Sequence, residues 1–225
     1  MSKLSFTEKA VLVLVLLMLI AGYILFYTDL SLFVIYVEED GLVEWLTVLG
    51  LLLGCFTCIG RFIKLRKQKS WWFLVVTAGL ALLLFFAAGE EVSWGQRILG
   101  IKSSEYFIEH NSQGETNFHN LIVDGVKLNK IIFSIGLIVA MAIYLIVIPL
   151  LYRNNQKAKT WLDKSGVPVP AVYQVISILL LFGITELLHH EKRAELLEAG
   201  IALLFFLIIK FPVNTSIFKK DHQLG

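Results

Sequence analysis

Six apolar stretches interrupt this sequence, each close to the length that a hydrocarbon slab demands. A helix crossing a core about 30 Å thick needs about 20 predominantly apolar residues. The stretches are Ala10–Tyr27, Leu42–Gly60, Trp71–Ala88, Ile131–Tyr152, Ala171–Leu188 and Leu196–Phe211. Lipid offers backbone N–H and C=O groups no partners, so each stretch must form a helix. The expected fold is all-α: a polytopic integral membrane bundle of about six transmembrane helices, forming one domain over residues 1–225. The last two stretches are short, which implies little tilt or a thinner bilayer. The first is longer than a signal-peptide core and no small-x-small site follows it, so it reads as a retained anchor.

Composition agrees with lipid as the solvent. Hydrophobic residues make up 57% of the chain and charged ones 17%, with a mean hydropathy of +0.74. Soluble domains run at about 45–50% and about 25%. A soluble enzyme, a disordered tail and a nucleic-acid binder are all disfavoured. The net charge of +2 is too small to suggest a polyanionic partner.

Basic residues set the orientation, because Lys and Arg favour the cytoplasmic side of short loops. Fourteen of the 20 lie at the N-terminus, in the second and fourth connections and in the tail. Both termini are therefore expected in the cytoplasm. The acids fall the other way: 15 of 18 lie on or near the opposite face, with His110, His119, His189 and His190. The rule for bases says nothing about acids, so this second asymmetry needs a cause of its own.

Glu44, Glu90, Glu91, Glu186 and Glu198 sit near span ends at one depth, close to the outer interface. Ionisable groups within a span usually face the bundle interior and find a partner. Carboxylates from several spans would build a shared polar pocket. The competing reading is a set of interfacial acids facing water and paired with Arg97, Lys192 and Arg193.

Three segments concentrate chemistry. Gly89–Arg97 holds Glu90, Glu91, Ser93, Trp94, Gln96 and Arg97 directly after an apolar run. Glu115, Asn117, His119 and Asn120 follow in the long outer loop. If that segment is helical, Glu115 and His119 share a face at i, i+4, a spacing that suits one metal ion or a carboxylate-fixed imidazole tautomer. Thr185–Glu198 brings Glu186, His189, His190, Glu195 and Glu198 between the last two spans. Glu38–Gly41 reads as a turn whose acids cap the following helix. The loop after Arg97 could fold over the pocket as a lid. Cys55 and Cys58 lie inside a span and read as packing, and Gly50-x-x-x-Gly54 as a close helix–helix contact.

The segments EDG-x-x-EW at Glu39–Trp45, GEEVSWGQRI at Gly89–Ile98 and E-x-N-x-HN at Glu115–Asn120 resemble a pattern recurring in uncharacterised bacterial multi-span membrane proteins. The resemblance implies a bacterial inner membrane and brings no assigned reaction. The CPBP family of intramembrane proteases is a poorer comparison. Its EExxxR, FxxxH and HxxxN spacings are each missed here, and none of its roles is carried over.

The leading expectation is a metal-dependent hydrolase or transferase acting on a lipid or lipid-linked substrate. Glu115, His119 and one of His189 or His190 would hold zinc, manganese or iron. Glu90 or Glu91 would be the general base, and Arg97 would bind an anionic headgroup. Glu44, Ser93, Trp94, Gln96, Asn117, Asn120, Glu186, Glu195 and Glu198 would line the pocket. The alternatives are a non-catalytic assembly subunit and a proton- or cation-coupled transporter.

Overall fold

A computed structural model describes residues 3–118, 120–123, 126–127 and 136–220. Long helices dominate it: α1 (Phe6–Thr28), α3 (Leu42–Leu65), α4 (Trp71–Glu91), α10 (Val172–Glu186) and α11 (Arg193–Lys210). Between them lie the short helices α2 (Leu30–Tyr36), α5 (Gln96–Leu99), α6 (Glu105–His110), α7 (Leu137–Ala142), α8 (Ile148–Asn154) and α9 (Gln156–Ser165). The described sheet is one two-residue hairpin, Ile122–Val123 against Val126–Lys127. Three helices, α1, α3 and α4, are long and apolar enough to cross a membrane. Residues 131–135, where the fourth apolar run begins, lie outside the described residues. A π-helical turn at Ile143–Val147 joins α7 to α8 just before Pro149. A wider turn there relieves the clash between a proline ring and the carbonyl one turn back.

The core is organised around α11. Leu196, Ala199, Ala202, Leu203, Leu204, Leu207, Ile208 and Ile209 of that helix are all buried. A helix that is apolar all round belongs in the middle of a bundle. Helix α1 shows the opposite pattern. Val11, Val15, Met18, Leu19 and Gly22 face inward, while Val13, Leu16, Leu17, Ile20 and Ile24 are exposed. Helix α4 likewise exposes Leu82, Leu83, Phe85 and Phe86. Exposed apolar faces on that scale suit a lipid surround.

Long-range bonds fix the directions of the helices. Tyr173 donates to Glu8 at 2.5 Å and Tyr23 to the Ile184 carbonyl at 2.5 Å, so α1 and α10 run parallel. Gly50 abuts Ala202 and Gly54 faces Ile209, so α3 and α11 run parallel to each other. Leu84 of α4 also meets Gly54, and Phe73 near its start clusters with Leu65 near the end of α3, so these two are antiparallel. The bundle therefore has two chemically distinct ends. One gathers the bases of Arg61–Lys69 together with Lys210. The other gathers Glu39–Glu44, Glu90–Arg97 and Glu186–Glu198.

Candidate functional site

At the acidic end α4 stops abruptly, and the stop builds the site. After Val92 the backbone enters the left-handed region for three residues in succession: Ser93 at φ 45°, Trp94 at φ 56° and Gly95 at φ 76°. Glycine adopts this freely, whereas serine and a bulky tryptophan do not. Such positions cost of order 1–3 kcal/mol each and persist only where their surroundings over-determine them. Here the surroundings are visible. The Ser93 hydroxyl donates to Glu115 and accepts from the Asn117 amide at 2.8 Å. The Trp94 indole donates to Glu90 Oε1 at 2.8 Å and lies across Gly89.

A Cβ at Gly89 would sit 2.8 Å from the indole ring. Gly89→Ala should displace the ring, break the Glu90 bond and lower stability by about 1–2 kcal/mol. In a Trp94→Ala background the same change should be nearly neutral. A double-mutant cycle of unfolding measurements checks this, and additive effects would count against the contact.

The turn delivers Arg97 to the centre of the site. Its Nη1 lies 3.0 Å and 3.1 Å from the Glu115 oxygens, its Nη2 2.5 Å from Glu44 Oε1, and its Nε 3.1 Å from Asp40. Glu39 stands 3.6 Å away, and Nη2 also donates to the Glu91 carbonyl at 3.4 Å. Burial disfavours the Arg97 charge, but the bond to Glu115 and the field of Glu44 outweigh it, so the guanidinium is held protonated more firmly than usual. Burial, followed by repulsion from Glu115, raises the Glu39 carboxyl above its ordinary value, and Arg97 pulls it back only in part.

The loop folds back over this centre. Asn111 donates to the Asn117 carbonyl and side chain at 2.9 Å, and its own oxygen accepts from the Gln113 amide at 2.9 Å. The Phe118 amide donates to Glu90 Oε2 at 2.6 Å, so both oxygens of Glu90 are occupied. Gln96 bridges Ser103 at 2.6 Å and the Thr116 amide at 2.7 Å. Asn120 bonds through its amide to Asn117 at 3.1 Å and through its side chain to Gln113. Gln113 in turn reaches Glu39.

Beside the arginine lies a second acidic group. Glu91 at the end of α4 feels the charges of Glu195, Glu44, Arg97 and Glu90. Glu198, one turn further along α11 than Glu195, feels Glu91 and Glu195. Glu44 on α3, Glu91 on α4 and Glu195 and Glu198 on α11 thus lie within reach of one another's fields.

Several sequence expectations change here. Arg97, expected to hold an anionic headgroup, is enclosed by Glu44, Glu115, Asp40 and Glu39, so a further anion would meet carboxylates on every nitrogen. Glu115–Phe118 is not helical, which removes the i, i+4 geometry proposed for Glu115 and His119. Both Glu115 oxygens are engaged by Arg97, with Ser93 and Asn117 on one of them. His119 lies outside the described residues. His190 packs edge-on against Phe26 and Phe33, and its Nδ1 accepts the Lys192 amide at 3.2 Å. His189 is exposed, and Glu186 pairs with Arg193 at 3.1 Å. Among the described residues no three His, Cys, Asp or Glu side chains are grouped as a metal site requires.

The sequence reading missed the part played by Glu39 and Asp40, taken there as helix caps. The α3 N-cap position is Gly41, with no side-chain cap, and both acids turn to Arg97 instead. Asp40 itself has a positive φ of 60°, which the adjoining Asp-Gly turn signal could have suggested. No known protein family, curated protein or solved structure matches the chain at a significant level.

Proposed function

We propose that this is a six-span membrane protein of a bacterial inner membrane with both termini in the cytoplasm. In this reading the acidic end faces outward and performs acid–base chemistry on a lipid or lipid-linked substrate, as a hydrolase or transferase. The observation that carries the reading is an arginine already neutralised by Glu44 and Glu115, with Glu91, Glu195 and Glu198 within reach of one another's fields nearby. Arg97, Glu44 and Glu115 form the frame. Glu91 and Glu198, the second of which lies in the field of the first, are the proton-transfer groups.

The strained Ser93–Gly95 turn supports a working site, since such strain collects where geometry matters. An apolar rim supports a lipid substrate. Trp94, Ile98, Leu99, Ile101, Tyr106 and Ile108 are all exposed around the same loop. The segregation of bases to the opposite end supports the orientation. Six spans are supported by the apolar helices α10 and α11 and the Val139–Asn154 helix, which add to the three long ones.

The test is turnover in liposomes of phosphatidylethanolamine, phosphatidylglycerol and a polyprenyl phosphate, with lipids followed by mass spectrometry. Wild-type protein should consume or modify one of them. Glu91→Gln and Glu198→Gln should each slow this by about 100-fold or more while the protein stays folded. Lipids left unchanged by the wild type, or converted equally fast by both variants, would refute the reading.

A further inference from the structure

At the opposite end of the bundle, far from the carboxylates, the last turns of α3 and the tail enclose an open cleft of about 590 Å³. Its walls are Gly60, Ile63, Lys64, Arg66, Lys67 and Lys220, with Gln68. Four of these seven residues are cationic and, among the described lining residues, none is acidic. The charge alone has a simple origin, since bases collect on one side of a membrane protein. Their shape and surroundings add something more.

An apolar strip leads away from the cleft along α3. Phe56, Ile59 and Ile63 are exposed, and with Gly60 they stand at i, i+3, i+4 and i+7, which is one face of a helix. Gly60 has no atom within 4 Å of where a Cβ would lie, so the strip is notched where it meets the bases. A single object complements both parts: a negative group set at the level of the bases, with a hydrocarbon chain running into the bilayer beneath it.

We propose that this cleft binds one anionic phospholipid. Its phosphate is held by Lys64, Arg66, Lys67 and Lys220, and an acyl chain lies along Phe56, Ile59 and Ile63 through the Gly60 notch. Juxtamembrane bases attract anionic lipid with about a fivefold gain each, so removing three should weaken binding by of order 100-fold. The site is independent of the chemistry proposed for the acidic end.

Native mass spectrometry of the full chain in detergent, titrated with phosphatidylglycerol, phosphatidylcholine or inorganic phosphate, tests the proposal. One phosphatidylglycerol should be retained at least tenfold more tightly than phosphatidylcholine. The triple variant Lys64→Gln, Arg66→Gln, Lys67→Gln should lose that retention by about 100-fold. Gly60→Leu keeps every base and fills the notch at an open surface, so it should also weaken retention. Equal retention of the two lipids would overturn the proposal. So would undiminished retention by either variant, or displacement of the lipid by inorganic phosphate at matching concentration, which would mark a simple anion site.

Discussion

Arg97→Met should be among the most damaging substitutions in this protein, lowering its stability by about 3 kcal/mol or more. The expectation follows from what would be left behind. The arginine side chain is 18% exposed, and those of Glu44 and Glu115 only 7% and 12%. Removing the cation leaves two largely buried carboxylates facing each other, with Asp40 and Glu39 nearby. Losing one partner of a buried ion pair costs about 3–5 kcal/mol, because the remaining charge is uncompensated. Arg97→Lys should restore little. An ammonium cannot reach Glu115, Glu44 and Asp40 with separate nitrogens, as the guanidinium fork does.

Thermal unfolding in detergent gives the measurement. A loss of about 6–12 °C in melting temperature is expected for a chain of this size. The decisive comparison is the triple variant Arg97→Met, Glu44→Gln, Glu115→Gln. If uncompensated charge is the cause, it should be more stable than Arg97→Met alone. A triple variant less stable than the single one would show that packing, not charge, carries the effect.

Gly50→Leu should prevent the bundle from assembling, and even Gly50→Ala should cost about 2–3 kcal/mol. A Cβ on Gly50 would lie 2.6–2.9 Å from backbone atoms of Ala202 and Leu203. Backbone in the middle of α11 cannot swing aside as a side chain can, so the helices must separate, and overpacking of this kind destabilises. Gly54→Ala should be milder, because its contacts at 3.1 and 3.2 Å are the ends of Ile209 and Leu84. Gly60→Ala meets nothing and should gain slightly, since glycine inside a helix is about 0.5–1 kcal/mol worse than alanine. Unfolding midpoints in the order Gly60→Ala, Gly54→Ala, Gly50→Ala check the argument. Equal midpoints for Gly50→Ala and Gly60→Ala would remove the close seam from the account of the fold.

The Gly50/Gly54 pair was legible in the sequence because small residues at i, i+4 have one ordinary meaning inside an apolar run. Cys55 and Cys58 were legible because thiols inside an apolar run ordinarily pack, and both are buried free thiols near Ala81 and Leu84. The collection of acids at one end was readable from charge and span order. What could not be read was which carboxylate meets which cation. Arg97 finds Glu44 across 53 positions and Glu115 across 18, and nothing local encodes either distance. The sequence spacing of Glu115 and His119 suggested a helix face, but the asparagines around them favour turns, and Asn111 and Asn117 tie the segment into a loop. The break at Ser93 was equally hidden. A serine and a tryptophan give no warning of left-handed backbone, and only Gly95 hinted at it.

The central place of α11 has a consequence for biogenesis. Helix α3 leaves the ribosome well before α11, its principal partner, has been made, and all of the intervening chain must be threaded in between. Through that interval the groove at Gly50 stands uncovered, because the Ala202 and Leu203 backbone that fills it has not yet been made. The early helices must therefore persist as a loose, incomplete bundle until α11 is made and fills its centre.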